Sequence, residues 1–510
     1  MLWIALHLPL LSLESFVATL PAGEGAKPLV LMGLHHITAA NEAAQALGVK
    51  PGLKRATALA LAPQLVQGQA DPARDAQALT AVAHAALAFT PVVALQPAQD
   101  RDAPADTALL EVHASLRCFG GLKRLVQQLS EAIAPLGHAL QIAIAPTAQG
   151  AALLARVHAR LYCADPSALQ RALDAAPVWL LGPGREHWDA LQGMGLQTLA
   201  ELRRLPRAGL ARRFSEGLLD ELDRAYGTRP DPREPIVLPP RFESRLELFA
   251  RADTTEQVLH GAAMLLARLV AWLSAQHAFV RRFVLVMKHE PRWRRDAGAP
   301  AATPLAIALA EPSRDAAHLR VLLRERLTSL PLPAPTLELV LQADDIAQRA
   351  PPNTELFPTP RSEREGLVRL IERLQARLGP QRVNRLVCVA DHRPERASRV
   401  EPADPAQPAP RARATPAASV TVAAVRPVWL LAPPEPLRER GQRPLLDGRE
   451  LQLLSGPERI ESGWWDQALA ERDYFIAQAG DGALVWVYRA RLPATVPGTA
   501  PGWFLHGRFG

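Results

Sequence analysis

The chain has 510 residues, which is enough for roughly three or four domains with separate hydrophobic cores. Its formal net charge of +7 favours a polyanionic partner, because each Lys or Arg placed on a phosphate releases condensed counterions. The three cysteines are far apart and match no metal-binding spacing, which is typical of a protein in a reducing compartment. No stretch reaches the roughly 18 uncharged apolar residues of a membrane span, so we expect no membrane segment.

The chain opens with an apolar run, residues 2–10, that predicts a strand buried on both faces and ended by Pro9. A secretory signal is the alternative, but no Lys or Arg precedes the run and no small-residue cleavage site occurs before Glu14. A metal-dependent nucleotidyl-transfer site on this strand would need carboxylates, because Mg²⁺ prefers hard oxygen ligands. No acid occurs before Glu14, which argues against that chemistry.

The residues up to 147 predict a domain that mixes strands and helices. We expect strands at 27–33, 90–95, 106–112 and 140–147, and helices at 37–49, 75–87 and 122–133. Residues 50–63 predict a turn that leads into another short helix. Asn41-Glu-Ala-Ala-Gln-Ala-Leu-Gly48 and Gly52-Leu53 reproduce the spacing of a pattern found in Y-family (translesion) DNA polymerases. Residues 1–185 therefore resemble the palm and fingers of that family, with an α+β fold.

The resemblance implies where the metal-binding acids of a polymerase would lie. Asp106 keeps the first acid of the second strand, whereas Thr107 replaces the second and Ala5 replaces the acid of the opening strand. Leu10 stands where an aromatic residue would screen the sugar. We therefore expect no metal site, no cofactor and no catalysis.

Contacts to the nucleotide phosphates are also missing from the pattern. The family's phosphate-binding Arg is replaced by Ala44 or Gln45, and no Lys follows the strand at 140–147 until well past Ala152.

An active polymerase with a different metal site, built from Asp102, Asp106 or Glu111, is the rival interpretation. Glu111 is an odd number of residues from Asp106 and so points to the opposite sheet face, while Asp102 lies in a loop. His7 shares the face of Ala5, but imidazole is a poor Mg²⁺ ligand.

Residues 186–230 resemble the polymerase thumb. Gly193-Met-Gly195 predicts the tight turn of a helix-hairpin-helix, whose backbone N–H groups would receive a DNA phosphate. Arginine side chains would add charge near the same backbone: Arg203, Arg204, Arg207, Arg212 and Arg213. A plain helical packing module is the alternative. A proline-dense linker, 230–240, follows.

Residues 241–345 predict the order βαββαβ, which is that of the polymerase little finger. The second strand and the loop after it are basic and favour DNA over a merely solvated edge: Arg281, Arg282, Lys288, Arg292, Arg294 and Arg295.

Residues 346–393 predict a partner-binding segment followed by a helix and a strand. Asn353-Thr354-Glu355-Leu356-Phe357 lies between prolines and resembles the peptide Gln-x-x-Leu-Phe that binds the bacterial sliding clamp, with Asn353 in place of Gln. Two apolar anchors on an extended, Pro-flanked segment can enter a preformed pocket at low entropic cost.

The end of the chain predicts a flexible tether and a small domain. Residues 394–425 are rich in Pro, Ala and Arg and predict a disordered linker. Residues 426–510 are rich in tryptophan and predict a β-rich module, with either an aromatic contact surface or a compact aromatic core.

The whole chain resembles the ImuB-type, non-catalytic branch of the Y family. Asp391-His-Arg-Pro-Glu-Arg396, Arg472-Asp-Tyr-Phe475 and Trp503-Phe-Leu-His-Gly-Arg-Phe509 are similar to the tail of that branch. The resemblance implies a cytoplasmic, nucleoid-associated adaptor in DNA damage-induced mutagenesis. Its partners would be primer-template DNA, the sliding clamp, an error-prone replicative-type polymerase alpha subunit and a small RecA-like protein of the ImuA type, with RecA as a further candidate. A general DNA-binding structural protein is a third class, which would not need a clamp peptide.

Overall fold

The structure is a computed structural model that describes residues 1–98, 105–290, 300–348, 360–404, 426–491 and 502–509. The chain divides into two compact units, Met1–Arg377 and Leu378–Gly510. This division falls inside residues 346–393, which the sequence predicts as one unit. The helix of this segment belongs mainly to the first unit and its strand to the second.

Palm and fingers are built from eight strands and seven helices among the described residues. They are β1 (Trp3–His7), α1 (Leu11–Val17), β2 (Leu29–Met32), β3 (Ile37–Ala40), α2 (Glu42–Ala46), α3 (Arg55–Leu61), β4 (Val66–Gln69), α4 (Pro72–Leu87), β5 (Val93–Leu95), β6 (Thr107–Glu111), α5 (Leu122–Ile133), β7 (Gln141–Ala145), α6 (Ala148–Ala155), β8 (Arg160–Tyr162) and α7 (Pro166–Asp174).

The palm sheet has the strand order β5-β6-β1-β7-β8, so the opening strand is its centre. All five residues of β1 are buried, which confirms the strand predicted from the apolar run. Ile4 and Leu6 pack with residues of α4 and α5, whereas Trp3 and Ala5 pack with residues of α6 on the other face.

The predicted helix over 37–49 is wrong in its first part. Ile37–Ala40 is a strand that pairs antiparallel with β2, and the helix spans only Glu42–Ala46. Ile37 and Thr38 are β-branched and favour the strand. Asn41 then caps the helix, because its Oδ1 accepts a hydrogen bond from the Ala44 N–H at 2.9 Å.

Five short helices follow. α8 (Gly182–Glu186) precedes the predicted thumb, and four helices lie within it: α9 (Trp188–Gly193), α10 (Leu199–Arg204), α11 (Arg207–Arg213) and α12 (Glu216–Tyr226). Their apolar side chains join the cluster on the Ala5 face of the palm sheet. The thumb is therefore part of the core that closes this face.

The predicted little finger has the expected order of elements: β9 (Phe242–Ala252), α13 (Thr255–Ala275), β10 (Ala278–His289), β11 (Ala302–Ser313), α14 (Ala316–Thr328) and β12 (Thr336–Gln348), followed by α15 (Pro360–Leu378). Its antiparallel sheet has the order β11-β10-β12-β9, with α13 and α14 in the same hydrophobic cluster as the strands.

Helix α13 joins the little finger to the palm. Arg268 is buried and its Nη1 donates to Gln77 Oε1 of α4 at 3.3 Å and to Ser244 Oγ of β9 at 3.1 Å. Among the described helices, α13 is the one that is long and apolar enough to span a membrane, but most of it is buried between these elements.

The second unit is mainly β-structure. Its strands are β13 (Asn384–Cys388), β14 (Ser398–Pro402), β15 (Trp429–Arg440), β16 (Arg443–Leu446), β17 (Arg449–Glu450), β18 (Gln452–Ser462), β19 (Ala470–Gln478), β20 (Leu484–Ala490) and β21 (Gly502–Arg508). β13 pairs with β14, and the other seven form one sheet in the order β17-β16-β15-β21-β20-β19-β18.

The predicted linker over 394–425 is wrong at its beginning. Ser398–Pro402 is a strand, and Leu386 lies opposite Val400 in the β13–β14 pair. Composition favours disorder throughout this segment, but pairing with β13 through backbone hydrogen bonds makes residues 398–402 a strand. Residues 405–425 lie outside the described part of the chain.

Candidate functional site

Ala5, where the resemblance places an acid of the opening strand, is enclosed by apolar side chains. Ala5 lies in register between Leu109 of β6 and Ala143 of β7, and all three residues are 0% exposed. They belong to the cluster that also contains α6 and the thumb. A carboxylate at position 5 would be buried in this cluster, where its charged form is strongly disfavoured.

The remaining acid, Asp106, lies directly before β6 and is held by three side chains. Arg156 Nη2 is 2.7 Å from Asp106 Oδ1, and the Thr107 hydroxyl donates to the same oxygen at 2.8 Å. His7 Nδ1 lies 3.5 Å from it and 3.1 Å from Thr107 Oγ1. The surroundings of Asp106 are thus a compact polar cluster with an arginine as its cation.

The carboxyl of Asp106 keeps its negative charge. Burial on its own raises the pKa of Asp106, but the hydrogen bond from His7, the charge of Arg156 and the hydrogen bond from Thr107 outweigh it, so the pKa is below its usual value. The ion pair with Arg156 compensates this charge. No motif in the sequence connects Arg156, which directly follows α6, to Asp106, so this partner could not be predicted.

The residues at this site do not fit a pair of divalent cations. Throughout the described residues, no group of three or more His, Cys, Asp or Glu side chains could hold a metal ion. Glu111 is at the far end of β6, where its Oε1 accepts hydrogen bonds from the Leu2 and His113 N–H groups at 3.2 Å. Asp102, the other acid of the rival interpretation, lies outside the described residues.

The positions predicted to have lost nucleotide contacts have other roles in the fold. Ala44 is completely buried in the core of the fingers. Gln45 uses its Nε2 to donate to the Ala40 carbonyl at 2.8 Å. Leu10, in place of the aromatic sugar screen, is 40% exposed in the turn before α1.

A second polar cluster ties the thumb to the palm. Glu221 of α12 accepts hydrogen bonds from Gln149 Nε2 at 2.7 Å and from the Gly182 N–H at 3.0 Å. Arg233, in the predicted linker, donates to Gln149 Oε1 and to Gln96 Oε1, each at 2.7 Å. Burial raises the pKa of Glu221 to about 6, against the opposing effects of the Gly182 N–H and nearby arginines.

The predicted phosphate-binding turn has its N–H groups already in use. Gly195 has φ +80°, as a tight turn requires. The N–H groups of residues 194–196 donate to carbonyls of α9, and those of Gln197 and Thr198 donate to Glu201 Oε2 at 2.7 and 3.0 Å. Glu201 and Thr198 form a capping box. The N–H groups that the sequence predicts as donors to a phosphate therefore already have acceptors within the protein.

The five thumb arginines divide into two groups. Arg203 pairs with Asp174 at 3.2 Å and lies over the Tyr226 ring, and Arg207 pairs with Asp223. The other three are exposed, and no ion pair with them occurs in the described residues: Arg204, Arg212 and Arg213. This second group is the part of the thumb with charge available for a phosphate.

The little finger likewise has fewer available cations than the sequence predicts. Lys288 is paired with Glu338 at 3.0 Å. Arg281 and Arg282 are both exposed at an irregularity in β10, and the described chain contains no ion pair with either. Arg292, Arg294 and Arg295 lie outside the described residues.

A cavity of about 1110 Å³ lies between the fingers and the little finger. Its lining includes β4, the start of α4 and β9, with as many carboxylates as guanidinium groups: Asp71, Glu247 and Glu338 against Arg55, Arg74 and Arg245. This balance gives the cavity no net charge for a polyanion.

Comparison with known proteins decides the family. Residues 14–156 match the model of the impB/mucB/samB family. The protein named Protein ImuB from two strains of Caulobacter vibrioides, NA1000 / CB15N and CB 15, is 32% identical over 489 residues. The match covers 91% of this chain and 100% of the relative. The chain belongs to the ImuB family.

Solved structures similar to this ImuB-family chain include two polymerases. "Insertion ternary complex of Dbh DNA polymerase" is 18% identical with a TM-score of 0.38, and "Crystal Structure of DinB from Sulfolobus solfataricus" is 18% identical with a TM-score of 0.37. Each match covers 68% of this chain and 99% of the solved chain.

The predicted clamp peptide of this ImuB-family member, Asn353–Phe357, lies outside the described residues. The helix after it, α15, is attached to the little finger. Glu372 is buried and accepts hydrogen bonds from the Ala310 N–H of β11 at 2.6 Å and from His318 Nε2 of α14 at 2.9 Å.

The three tail motifs shared with the ImuB branch meet in the second unit. Arg393 and Arg396 of the first motif pair with Asp466, and Glu395 pairs with Arg472 of the second at 2.9 Å. The hydroxyl of Tyr474 is 2.8 Å from Nδ1 of His506 in the third. Positions more than 70 residues apart in sequence thus form one cluster.

Proposed function

We propose that this ImuB-family chain is a non-catalytic Y-family polymerase homologue that acts as an adaptor. It binds primer-template DNA and the bacterial sliding clamp during error-prone translesion synthesis induced by DNA damage. The observation that carries the proposal is the ion pair between Asp106 and Arg156, at the place where the family's palm needs acids that are free to hold metal.

The chemistry of nucleotide addition explains why this ion pair matters. Phosphoryl transfer needs cations that stabilise the attacking and leaving oxygens, and the protein must provide carboxylates to hold them. Here one carboxylate remains and its negative charge is matched by a guanidinium group. Ala5 and Thr107 add no further charge, so the palm retains its fold without a means to activate a 3′-hydroxyl.

DNA binding does not depend on the palm acids. Five exposed arginines on the thumb and on β10 of the little finger have no ion pair within the described residues: Arg204, Arg212, Arg213, Arg281 and Arg282. Contacts of this kind to phosphates give affinity without sequence specificity. We therefore assign primer-template binding to these two surfaces.

The remaining partners follow from the predicted segments and the family. The peptide Asn353-Thr354-Glu355-Leu356-Phe357 would bind the clamp through its two apolar side chains. The C-terminal unit would recruit the error-prone replicative-type polymerase alpha subunit and the small RecA-like protein, with RecA as a further candidate. The protein would act in the cytoplasm, at the nucleoid.

Primer extension tests the lack of catalysis. The full chain is incubated with a labelled primer-template, nucleotides and Mg²⁺ or Mn²⁺, next to Asp106→Ala and to an active Y-family polymerase. We expect no extension above that of Asp106→Ala. Extension by the wild-type chain that Asp106→Ala abolishes would refute the proposal.

A clamp pull-down tests the adaptor role and separates it from that of a general DNA-binding protein. Leu356→Ala combined with Phe357→Ala should reduce capture of the chain by immobilised clamp at least about tenfold, because both anchors are lost. Thr354→Ala is the matched control within the same peptide. Undiminished capture of the double variant would remove the peptide from the proposal.

A further inference from the structure

A short hairpin in the C-terminal unit carries several exposed arginines. Strand β15 pairs with β21 as far as Leu437. Residues 438–443 continue beyond this point as a hairpin, in which β15 pairs only with β16 among the described strands. All six of these residues are exposed. We call residues 438–445 the arginine ribbon.

The turn at the tip of the arginine ribbon is tight. Its two central residues both have positive φ angles, +54° at Gly441 and +70° at Gln442. A two-residue loop of this kind is a type I′ turn, whose twist matches that of the flanking strands. The tip therefore has regular hairpin geometry and places Arg440 and Arg443 side by side.

These two arginines form a pair of like charges. Arg440 lies directly opposite Arg443 in the ladder between β15 and β16. Side chains in such a pair are on the same face, with Cβ atoms about 5 Å apart, so two positive charges there repel each other and destabilise the pair. Arg438, two residues before Arg440, lies on the same face. The hairpin thus keeps an arrangement that an anion would relieve.

The acids near the arginine ribbon do not neutralise this face. Glu439 alternates to the other face of β15. Glu450 lies 3.7 Å from Arg443, but the side chain of Arg443 is 70% exposed, so this pair contributes little. In the described part of the chain, neither Arg438 nor Arg440 has an ion pair. The face therefore carries positive charge that is available to an anion.

Shape and composition indicate which polyanion fits. A two-stranded β-ribbon is narrow enough to enter the major groove of duplex DNA. The tip, Arg440-Gly-Gln-Arg443, has side chains that donate hydrogen bonds and contains no carboxylate. Sites for single strands stack bases on aromatic rings, and residues 438–450 include no aromatic residue. The ribbon therefore fits a duplex better than a single strand.

We propose that the arginine ribbon binds the phosphate backbone of duplex DNA at a groove. The inference goes beyond the proposed function, because it gives the C-terminal unit a DNA contact of its own in addition to the recruitment of protein partners. The bound phosphates offset the repulsion between Arg440 and Arg443, which accounts for two like charges at directly opposite positions.

Fluorescence anisotropy of the full chain with a labelled DNA duplex, across a salt series, tests the proposal. Arg440→Ala combined with Arg443→Ala should weaken binding at least about tenfold at about 0.1 M salt. The slope of log affinity against log salt should fall by about 1.8, because each phosphate contact contributes about 0.9.

The matched control removes the same charge from the same unit. Arg399→Ala combined with Arg459→Ala changes two arginines that already pair with acids, Glu401 and Asp473, and should weaken binding less than about threefold. An equal loss in the control would show that only net charge matters and would overturn the proposal. Unchanged duplex binding by the ribbon alanine variant would overturn it as well.

Two further measurements separate DNA contact from damage to the fold. Arg440→Lys combined with Arg443→Lys should bind the duplex within about threefold of wild type, because lysine also binds phosphate. The alanine variant should melt no lower than wild type, since it removes a repulsion. A lysine variant as weak as the alanine variant, a lower melting temperature, or a loss confined to single-stranded DNA contradicts the proposal.

The thumb is tested separately from the arginine ribbon. Arg204→Ala, Arg212→Ala and Arg213→Ala, combined in one chain, remove the thumb cations and leave the ribbon unchanged. If this chain binds the duplex like wild type while the ribbon alanine variant is weakened, the thumb assignment in the proposed function fails and the ribbon proposal stands. The reverse result would retain the thumb and remove the ribbon.

Discussion

At the residue scale, the main feature is the ion pair between Arg156 and Asp106, the position where the resemblance places a metal-binding acid. Loss of acids alone would leave one carboxylate at the edge of the sheet. In this chain the carboxylate is retained and has a structural partner, and the side chain of Arg156 is 11% exposed against 24% for Asp106. The ion pair therefore contributes to the stability of the fold.

Arg156→Ala should destabilise the first unit. Removing one partner of a buried pair leaves the other charge uncompensated, which typically costs about 3–5 kcal/mol. Because Asp106 remains partly exposed, we expect a loss of about 2–3 kcal/mol in the free energy of unfolding, measured by urea denaturation. In the double variant with Asp106→Asn, the loss should be smaller than the sum of the two single losses.

The same pair predicts a pH dependence. The folded state lowers the pKa of Asp106, so its contribution to stability is present above the unfolded value of about 3.9 and is lost as the pH falls through the folded value. Arg156→Ala should therefore show a flatter decline in stability below about pH 4 than wild type. Parallel declines would show that Arg156 does not stabilise the charge of Asp106.

At the element scale, α15 covers one edge of the little-finger sheet. β11 is an edge strand, and edge strands carry unpaired backbone groups that need protection. Glu372 satisfies one of them, the Ala310 N–H, from within a helix that begins directly after the predicted clamp peptide. This contact attaches the helix after the peptide to the domain that would lie on DNA.

Glu372→Ala should loosen α15 and the end of β11. The Ala310 N–H loses its acceptor and His318 loses its partner, at a cost of about 1–3 kcal/mol. Hydrogen exchange should speed up at Ala310 and along α15, while β9 stays protected. Arg373→Ala, also in α15, removes a more exposed ion pair with Glu325 of α14. It should change the opening free energy measured by exchange by less than about 1 kcal/mol. Equal effects of the two variants would contradict this account.

The elements also show what a single sequence can and cannot predict. The strand β1 and the order of elements in the little finger were predictable. A long apolar run indicates a buried strand, and the spacing of apolar residues distinguishes strands from helices. The strand at Ile37 was not predictable, since its register depends on pairing with β2. Likewise β14 lies in a segment whose composition favours disorder, and only its pairing with β13 makes it a strand.

At the scale of the whole molecule, the net charge of +7 overstates how many cations can contact DNA, because some of them are paired with acids. Three of the eight cations predicted to bind DNA in the described residues are paired with acids of other elements: Arg203 with Asp174, Arg207 with Asp223 and Lys288 with Glu338. The basic segments could be found in the sequence, but the acids that pair with their cations could not, because these acids lie on other elements. For the same reason it located Asp106, Thr107 and Ala5 but missed Arg156.

Replacing Arg204, Arg212 and Arg213 together by Ala should weaken binding to primer-template DNA. Each lost phosphate contact should reduce the slope of log affinity against log salt by about 0.9. Arg203→Ala combined with Arg207→Ala is the matched control, because both side chains already pair with acids. Fluorescence anisotropy across a salt series measures both. A larger effect in the control would place the DNA elsewhere on the thumb.

The central claim is that the palm of this ImuB-family chain cannot hold divalent cations. Electron paramagnetic resonance of Mn²⁺ tests it directly, with the chain bound to primer-template DNA and an incoming nucleotide. We predict the same Mn²⁺ binding for wild type and Asp106→Ala, because Arg156 already compensates the carboxylate. One or two additional Mn²⁺ ions in wild type that disappear in Asp106→Ala would contradict the claim.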